Sequence, residues 1–165
     1  MIYITVDKHA DFYELCYFCK KEKTSKDDLM IILGDSGINY FNDERDYKLK
    51  EELSKCPITF FCVHGNHEER ASNISTYKSK KFLDGIVYYE EKYPNILFAI
   101  DGEIYNLNSK KTLVIGGAYS VDKEFWIYVK FLDTFFRTIF IWPYLNLFQF
   151  PFDKQKGQNE LFLIF

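Results

Sequence analysis

Histidine is scarce in this chain of 165 residues, which contains only His9, His64 and His67. A basic excess is also missing, because 21 Lys and Arg residues stand against 24 Asp and Glu residues and give a net charge of −3. This balance argues against nonspecific binding of nucleic acid, which needs a broad positive field. No apolar run reaches the roughly 20 residues of a membrane-spanning helix, so we expect no membrane partner.

Cysteine is limited to four residues, and their spacing does not favour a zinc site. Cys16 and Cys19 form a C-x-x-C pair inside a segment with helical spacing, while Cys56 and Cys62 make no second close pair. We therefore expect four buried free thiols. The N-terminal run MIYITVDKHADF has neither the basic segment nor the cleavage site of a signal peptide, which predicts a cytoplasmic protein.

Short apolar runs alternate with amphipathic segments over the first 63 residues. The predicted buried strands are Ile2–Val6, Asp28–Leu33 and Ile58–Val63, and the predicted helices are Asp11–Glu22 and Asp43–Lys55. Strands and helices that alternate in this way are typical of βαβ units around a parallel sheet.

The pattern changes after the third predicted strand. Ile96–Ile100 and Glu103–Leu107 flank Asp101-Gly102, which is a strong signal for a two-residue hairpin turn, and Thr112–Ile115 follows as a further strand. We therefore expect the sheet to become mixed.

The composition changes again near residue 125, so we divide the chain into a domain over residues 1–124 and an aromatic tail over 125–165. The tail holds ten of the 17 Phe residues and no histidine. Its segment Thr138–Phe152 is apolar for 15 residues, broken by Pro143. We interpret the tail as a truncated or divergent C-terminal part, and as a surface through which the protein could associate with a partner. An alternative is a tail that associates with a membrane.

Three polar motifs each follow a predicted strand directly. They are Asp7-Lys8-His9, Gly34-Asp35 and Gly65-Asn66-His67-Glu68. Since the carboxyl ends of parallel strands line a common crevice, we expect these residues to meet at one edge of the sheet. Alone, each motif is as consistent with an ordinary turn or loop cap.

The side chains of these motifs suit divalent metal ions. Asp7 and His9 are two residues apart and point to the same side of an extended chain. Asp35 offers two oxygens that can bridge two ions, and Asn66 offers a neutral oxygen. Such a mixed set favours Mn²⁺, Fe²⁺ or Zn²⁺, and two such ions can activate water for attack on a phosphate ester.

At these residues the chain resembles the calcineurin-like metallophosphoesterase superfamily, whose members carry D-x-H, G-D and G-N-H motifs in this order. The resemblance extends to about Glu124. It implies an α/β fold, a mixed β-sandwich flanked by helices, here incomplete on its C-terminal side. It also implies that Asp7 and His9 hold one metal, Asp35 bridges two, Asn66 holds the second, and His67 is the catalytic acid.

The chain departs from the family pattern at three places, one of which is Asn39, where the second motif of the family usually ends in Asp. The first motif of the family is G-D-x-H-G, whereas this chain has Val6 and Ala10 at the two glycine positions. The family completes its metal site with further histidines, and no histidine follows His67 in this chain. We therefore expect an incomplete site, with one weakly bound metal at Asp7, His9 and Asp35.

These observations lead to two hypotheses about function. The first is a metal-dependent phosphoesterase, impaired by the missing ligands, that hydrolyses a phosphorylated small molecule or a phosphoprotein. The second is a binding module that has the fold without the chemistry.

Overall fold

The computed structural model describes residues 1–117 and the backbone of residues 161–164. Nine strands, two α-helices and a short 3-10 helix (Ala71–Asn73) are present in this part of the chain. The helices are α1 (Tyr13–Glu22) and α2 (Glu44–Ser54). The strands are β1 (Ile2–Val6), β2 (Leu29–Leu33), β3 (Thr59–Val63), β4 (Lys78–Phe82), β5 (Gly85–Glu90), β6 (Tyr93–Ala99), β7 (Ile104–Leu107), β8 (Lys110–Val114) and β9 (Leu161–Ile164).

The strands form two sheets. The larger sheet has the order β1-β2-β3-β6-β5-β4, in which the first four strands are parallel and β5 pairs antiparallel with both β6 and β4. The smaller sheet has the order β7-β8-β9. The prediction of βαβ units followed by a mixed sheet is confirmed, and so is the α/β fold with two sheets.

Two apolar clusters hold these layers together. The first lies between α1, α2 and the larger sheet, and it includes the fully buried Ile32, Phe60 and Cys62. The second includes Phe61 of β3 and Tyr105 of β7, so it joins the two sheets. Alternate residues of β3 face the two clusters because side chains alternate across a strand. This central strand is therefore buried on both faces.

Two sequence predictions about strands are wrong, and one hairpin was not predicted. The strand Ile2–Val6 is present but not buried, since β1 lies at an edge of the described sheet and Val6 is 57% exposed. The runs around Asp101-Gly102 do not form a hairpin. The turn instead carries the chain from one sheet to the other, where β7 pairs with β8. Finally, the hairpin of β4 and β5 was not predicted, because β4 (KSKKF) has little apolar character.

The prediction of four free thiols is also wrong. Cys16 of α1 and Cys56, just after α2, form a disulfide across 40 residues, whereas Cys19 and Cys62 are free and buried. The two bonded cysteines are far apart in sequence and meet because both helices pack on the same face of the sheet. No helix in the part of the chain described here is long and apolar enough to cross a membrane. The segment Thr138–Phe152 lies outside the described residues.

Candidate functional site

The three predicted motifs begin at matched positions of three neighbouring strands. Val6 of β1 is in register with Leu33 of β2, and Leu33 is in register with Val63 of β3. Because the strands are parallel, the residues that follow them leave the sheet at the same edge. The prediction that topology brings the motifs together is therefore supported by the observed register.

Backbone hydrogen bonds join the first motif to the second. The amides of Lys8 and His9 both donate to the carbonyl of Asp35, at 3.0 and 2.9 Å. The next amide, that of Ala10, donates to the carbonyl of Ser36 at 3.0 Å. Three consecutive bonds fix the loop that carries Asp7 and His9 against the loop that carries Asp35.

The third motif is held to the second through Asp35. The Oδ1 atom of Asp35 accepts a hydrogen bond from the amide of His67 at 3.1 Å. Gly65 packs so closely on Asp35 that a Cβ atom at position 65 would overlap the nitrogen and Oδ1 of Asp35. The rings of His9 and His67 meet edge to face, with centroids 5.8 Å apart. Asn66 lies between Gly65 and His67, and its side chain is exposed.

The backbone of this site adopts left-handed conformations at residues other than glycine. The φ angles are 33° at Asp7, 44° at His9, 67° at Ala10 and 45° at Asp35. Such conformations cost free energy for L-residues and concentrate at functional sites. Ala10 occupies the last glycine position of the family motif, and its left-handed φ explains why glycine suits that position.

Glu68 holds the loops of the second and third motifs together, a role that the sequence alone did not reveal. Its carboxylate accepts hydrogen bonds from the hydroxyl of Ser36, from the amide of Gly37 at 3.0 Å and from the amide of Gly65 at 3.1 Å. Burial raises the pKa of Glu68, and these hydrogen bonds oppose that shift. The sequence feature that could have indicated this role is the position of Glu68 directly after G-N-H, where its carboxylate can accept hydrogen bonds from amides of its own loop.

His64 and Arg70 lie beside the third motif. The carbonyl of His64 accepts a hydrogen bond from the amide of Gly117 at 2.8 Å. Burial, followed by the charge of Arg70, lowers the pKa of His64 and favours the neutral imidazole. Arg70 pairs with Asp101, with Nη1 and Oδ2 2.5 Å apart. The Arg70 side chain is 46% exposed, so it contacts both a carboxylate partner and solvent.

The residues fit a divalent metal in their chemistry more than in their arrangement. Two carboxylates and an imidazole come from loops that are bonded to each other, and this donor set suits Mn²⁺, Fe²⁺ or Zn²⁺. Within residues 1–117, however, no three His, Cys, Asp or Glu side chains are grouped so that they could hold an ion. The described residues therefore supply candidate ligands, but by themselves they do not form a complete metal site.

A comparison with protein-family models decides the classification. The model for calcineurin-like phosphoesterases matches residues 2–162. The chain belongs to the calcineurin-like phosphoesterase family. The match continues past residue 124 into the predicted aromatic tail. Members of the family generally bind divalent metals and hydrolyse phosphoesters, so the match supports a metal-dependent phosphoesterase at the level of the family. A search of curated proteins found no match.

Proposed function

We propose that this family member hydrolyses a phosphomonoester or phosphodiester at the edge of the sheet where the three motifs meet, with reduced efficiency. The observation that carries the proposal is the set of bonds through Asp35. Its carbonyl holds the first motif and its carboxylate holds the third. A site fixed at this many points is preorganised, which is what positioning of a reactive phosphate requires.

In this proposal Asp7, His9 and Asp35 would be the ligands of one divalent ion, and Asn66 with Asp35 would form the weaker second position. A divalent ion bound there would activate a water molecule for attack and would offset the negative charge of the phosphate oxygens. His67 donates a proton to the leaving oxygen. The contact between the amide of His67 and Asp35 positions its loop for that task.

The reduced efficiency follows from the ligand count. Within residues 1–165 no histidine follows His67, and the described residues contain no group of three side chains placed to hold a metal. An ion with few protein ligands keeps more water and is bound more weakly. We therefore infer one weakly bound metal rather than two tightly bound ones.

Hydrolysis of p-nitrophenyl phosphate and of its bis-ester with added Mn²⁺ tests the proposal. We expect activity from the wild type that falls by roughly 10²–10⁴ in His67→Ala, the usual contribution of a general acid, and that disappears in Asp35→Ala. Asp27→Ala is the matched control, because Asp27 is exposed and precedes β2, at the opposite end of the strand from Asp35. Full activity in a folded Asp35→Ala protein would exclude this site.

The described residues do not group into a metal site. This observation favours a second candidate function, a non-catalytic module that retains the fold. Calorimetric titration with Mn²⁺ separates the two functions. A phosphoesterase binds the ion and loses that binding in Asp35→Ala, whereas the module shows no binding that depends on Asp35.

For the substrate and setting we propose a phosphorylated small molecule or phosphoprotein, in the cytoplasm, with no nucleic-acid partner. Association through the aromatic tail over residues 125–165 is part of the same proposal. Fractionation of cells and sizing of the purified protein test these two points.

A further inference from the structure

A fourth loop reaches the edge of the sheet where the three motifs meet. It belongs to the smaller sheet and follows β8, with Gly116 and Gly117. The amide of Gly117 donates to the carbonyl of His64 at 2.8 Å. Gly116 packs so closely there that a Cβ atom would overlap the same carbonyl oxygen. His64 is the residue that joins β3 to the third motif, so the fourth loop fixes the point at which that motif begins.

Asp101 connects the fourth loop to the chain that follows the third motif. Its Oδ1 atom accepts a hydrogen bond from the amide of Gly116 at 2.8 Å. Its Oδ2 atom accepts from Nη1 of Arg70 at 2.5 Å, and Arg70 comes three residues after His67. Asp101 itself lies in the turn that carries the chain from β6 to β7 and so from one sheet to the other. We call these contacts of Asp101 with Arg70 and Gly116 the Asp101 clamp.

The loop that carries His67 is thereby held at three points. The amide bond from His67 to Asp35 holds its centre. The carbonyl of His64 and the side chain of Arg70 hold its two ends. Without the clamp the chain after His67 loses one of these restraints. A misplacement of about 1 Å in a reacting group can cost about 100-fold in rate, so this restraint matters for a proton donor.

The clamp adds little to the stability of the fold. The side chains of Arg70 and Asp101 are 46% and 30% exposed. Ion pairs this exposed stabilise proteins only slightly, because water screens the charges and the side chains lose freedom on pairing. A protein without the clamp should therefore still fold, and an effect on catalysis can be measured separately from an effect on stability.

An alternative role for Arg70 is direct binding of the substrate phosphate. A guanidinium has five N–H donors, and Nη1 is bonded to Asp101. A phosphate at the remaining donors would lie close to the Asp101 carboxylate, and the two negative charges would repel each other. The observed pairing therefore favours a positioning role for the clamp over a phosphate site.

We propose that Asp101 is a positioning residue for the hydrolysis, acting through Arg70 on the loop that carries His67. This inference rests on the proposed function, in which His67 protonates the leaving oxygen. The hydrogen bonds of Asp101 go to Arg70 and Gly116 and not to the candidate metal ligands. Loss of Asp101 should therefore slow the proton transfer more than it weakens binding of the metal or the substrate.

The test compares two esters with different leaving groups in the presence of Mn²⁺. With phenyl phosphate, we expect kcat of Asp101→Ala to fall by at least about 10-fold and KM to change by less than about 2-fold. The loss should be smaller with p-nitrophenyl phosphate, because nitrophenolate is the better leaving group and needs less help from an acid. A purely structural role would lower both rates equally.

Two further variants make the comparison specific. Asp101→Asn retains a side-chain oxygen that can accept from the Gly116 amide and from Arg70, so it should recover most of the rate. Glu91→Ala is the matched control. It breaks another exposed ion pair, that with Lys78, just before β6 and so at the end of the sheet opposite to the motifs. It should leave kcat and KM unchanged.

NMR spectra of the histidine rings test the positioning without substrate or metal. The chain has three histidines, so the spectrum of His67→Ala assigns the His67 signals. We expect these signals to shift in Asp101→Ala and to stay in place in Glu91→Ala. If the wild type hydrolyses neither ester, the phosphoesterase proposal fails, and the His67 signals alone decide whether Asp101 positions this ring.

Arg70→Met covers the case in which Asp101→Ala does not fold. It removes the other half of the ion pair at a side chain that is 46% exposed, and it should reproduce both the lower kcat and the shift of the His67 signals. Arg70→Lys keeps the positive charge and should recover part of the rate.

Any of three results overturns the inference. The first is a kcat in folded Asp101→Ala within about 2-fold of the wild type with phenyl phosphate. The second is a set of His67 signals that does not change in Asp101→Ala. The third is a raised KM with unchanged kcat in Arg70→Met, which would assign Arg70 to substrate binding.

Discussion

At the scale of single residues, the site depends on positions where the chain passes very close to itself. Gly65 touches Asp35, and Gly37 lies where a Cβ would overlap the backbone nitrogen of Ala10. Neither contact is local in sequence, because the residues belong to loops that follow different strands. These glycines therefore let the loops approach closely enough to form the hydrogen bonds that hold them together.

The Gly65→Ala substitution should disrupt the site. The added methyl group overlaps the backbone of Asp35, so one loop must move, and we expect unfolding to become easier by about 2–4 kcal/mol. Chemical denaturation of both proteins measures this loss. Gly102→Ala is the comparison, because nothing lies within 4 Å of a new Cβ at Gly102 and its cost comes only from the positive φ, which Gly65 does not have. Similar losses in both variants would show that close packing at position 65 is unimportant.

Glu68 is the second residue whose removal should be costly. In Glu68→Ala the amides of Gly37 and Gly65 lose their acceptor. A buried donor without a partner costs about 1–3 kcal/mol, so we expect a loss of about 2–4 kcal/mol in urea denaturation. Glu22→Ala, at an exposed position of α1, should change stability by less than about 0.5 kcal/mol. If Glu68→Ala is equally mild, solvent replaces the carboxylate and the support is dispensable.

At the scale of elements, the start of α2 shows how one side chain sets a helix boundary. Asp43 has an extended backbone, and its Oδ1 accepts from the amide of Arg45 at 2.8 Å. The guanidinium of Arg45 bonds the same carboxylate. The hydrogen bond from the Arg45 side chain, followed by the one from its amide, holds the pKa of Asp43 below its ordinary value.

This cap should make the stability of α2 depend on pH. Because the folded pKa is lowered, the stabilisation is complete above the ordinary pKa of about 4 and is lost as the pH falls through the folded value. We expect Asp43→Ala to lower the melting temperature at pH 7, and the difference from the wild type to disappear in acid. Asp43→Asn keeps a neutral cap and should show a deficit that varies less with pH. A difference for Asp43→Ala that stays constant in acid would contradict a role for the carboxylate charge.

At the scale of the whole molecule, the disulfide between Cys16 and Cys56 joins α1 to the segment after α2. It closes a loop across 40 residues, and the chain-entropy model gives about 4 kcal/mol of stabilisation for such a loop. We expect reductant to lower the free energy of unfolding by roughly this amount. A thiol assay of the denatured protein should find two free cysteines before reduction.

The double variant Cys16→Ser/Cys56→Ser is the control for this experiment. It should have the stability of the reduced wild type and should not respond to reductant. Four free thiols in the untreated protein would contradict the disulfide. The bond also argues against the predicted cytoplasmic location, because disulfides persist mainly in oxidising compartments.

The sequence by itself determined the local features of this protein. Apolar runs bounded by helical segments predicted β2 and β3 and both helices, with boundaries that differ by one or two residues. The three motifs predicted which loops would meet, because parallel strands place their carboxyl ends at one edge of a sheet. These inferences succeed because they depend on periodicity and on the chemistry of short segments.

Only the tertiary structure decided which segments are neighbours. The turn at Asp101-Gly102 looks like a hairpin locally, yet burial of Tyr105 between the sheets accompanies the pairing of β7 with β8. The partner of Cys16, and the Ser36 and Gly37 groups that bond to Glu68, lie at least 30 positions away in sequence. Contacts of this range arise from packing of the layers, which no short pattern encodes.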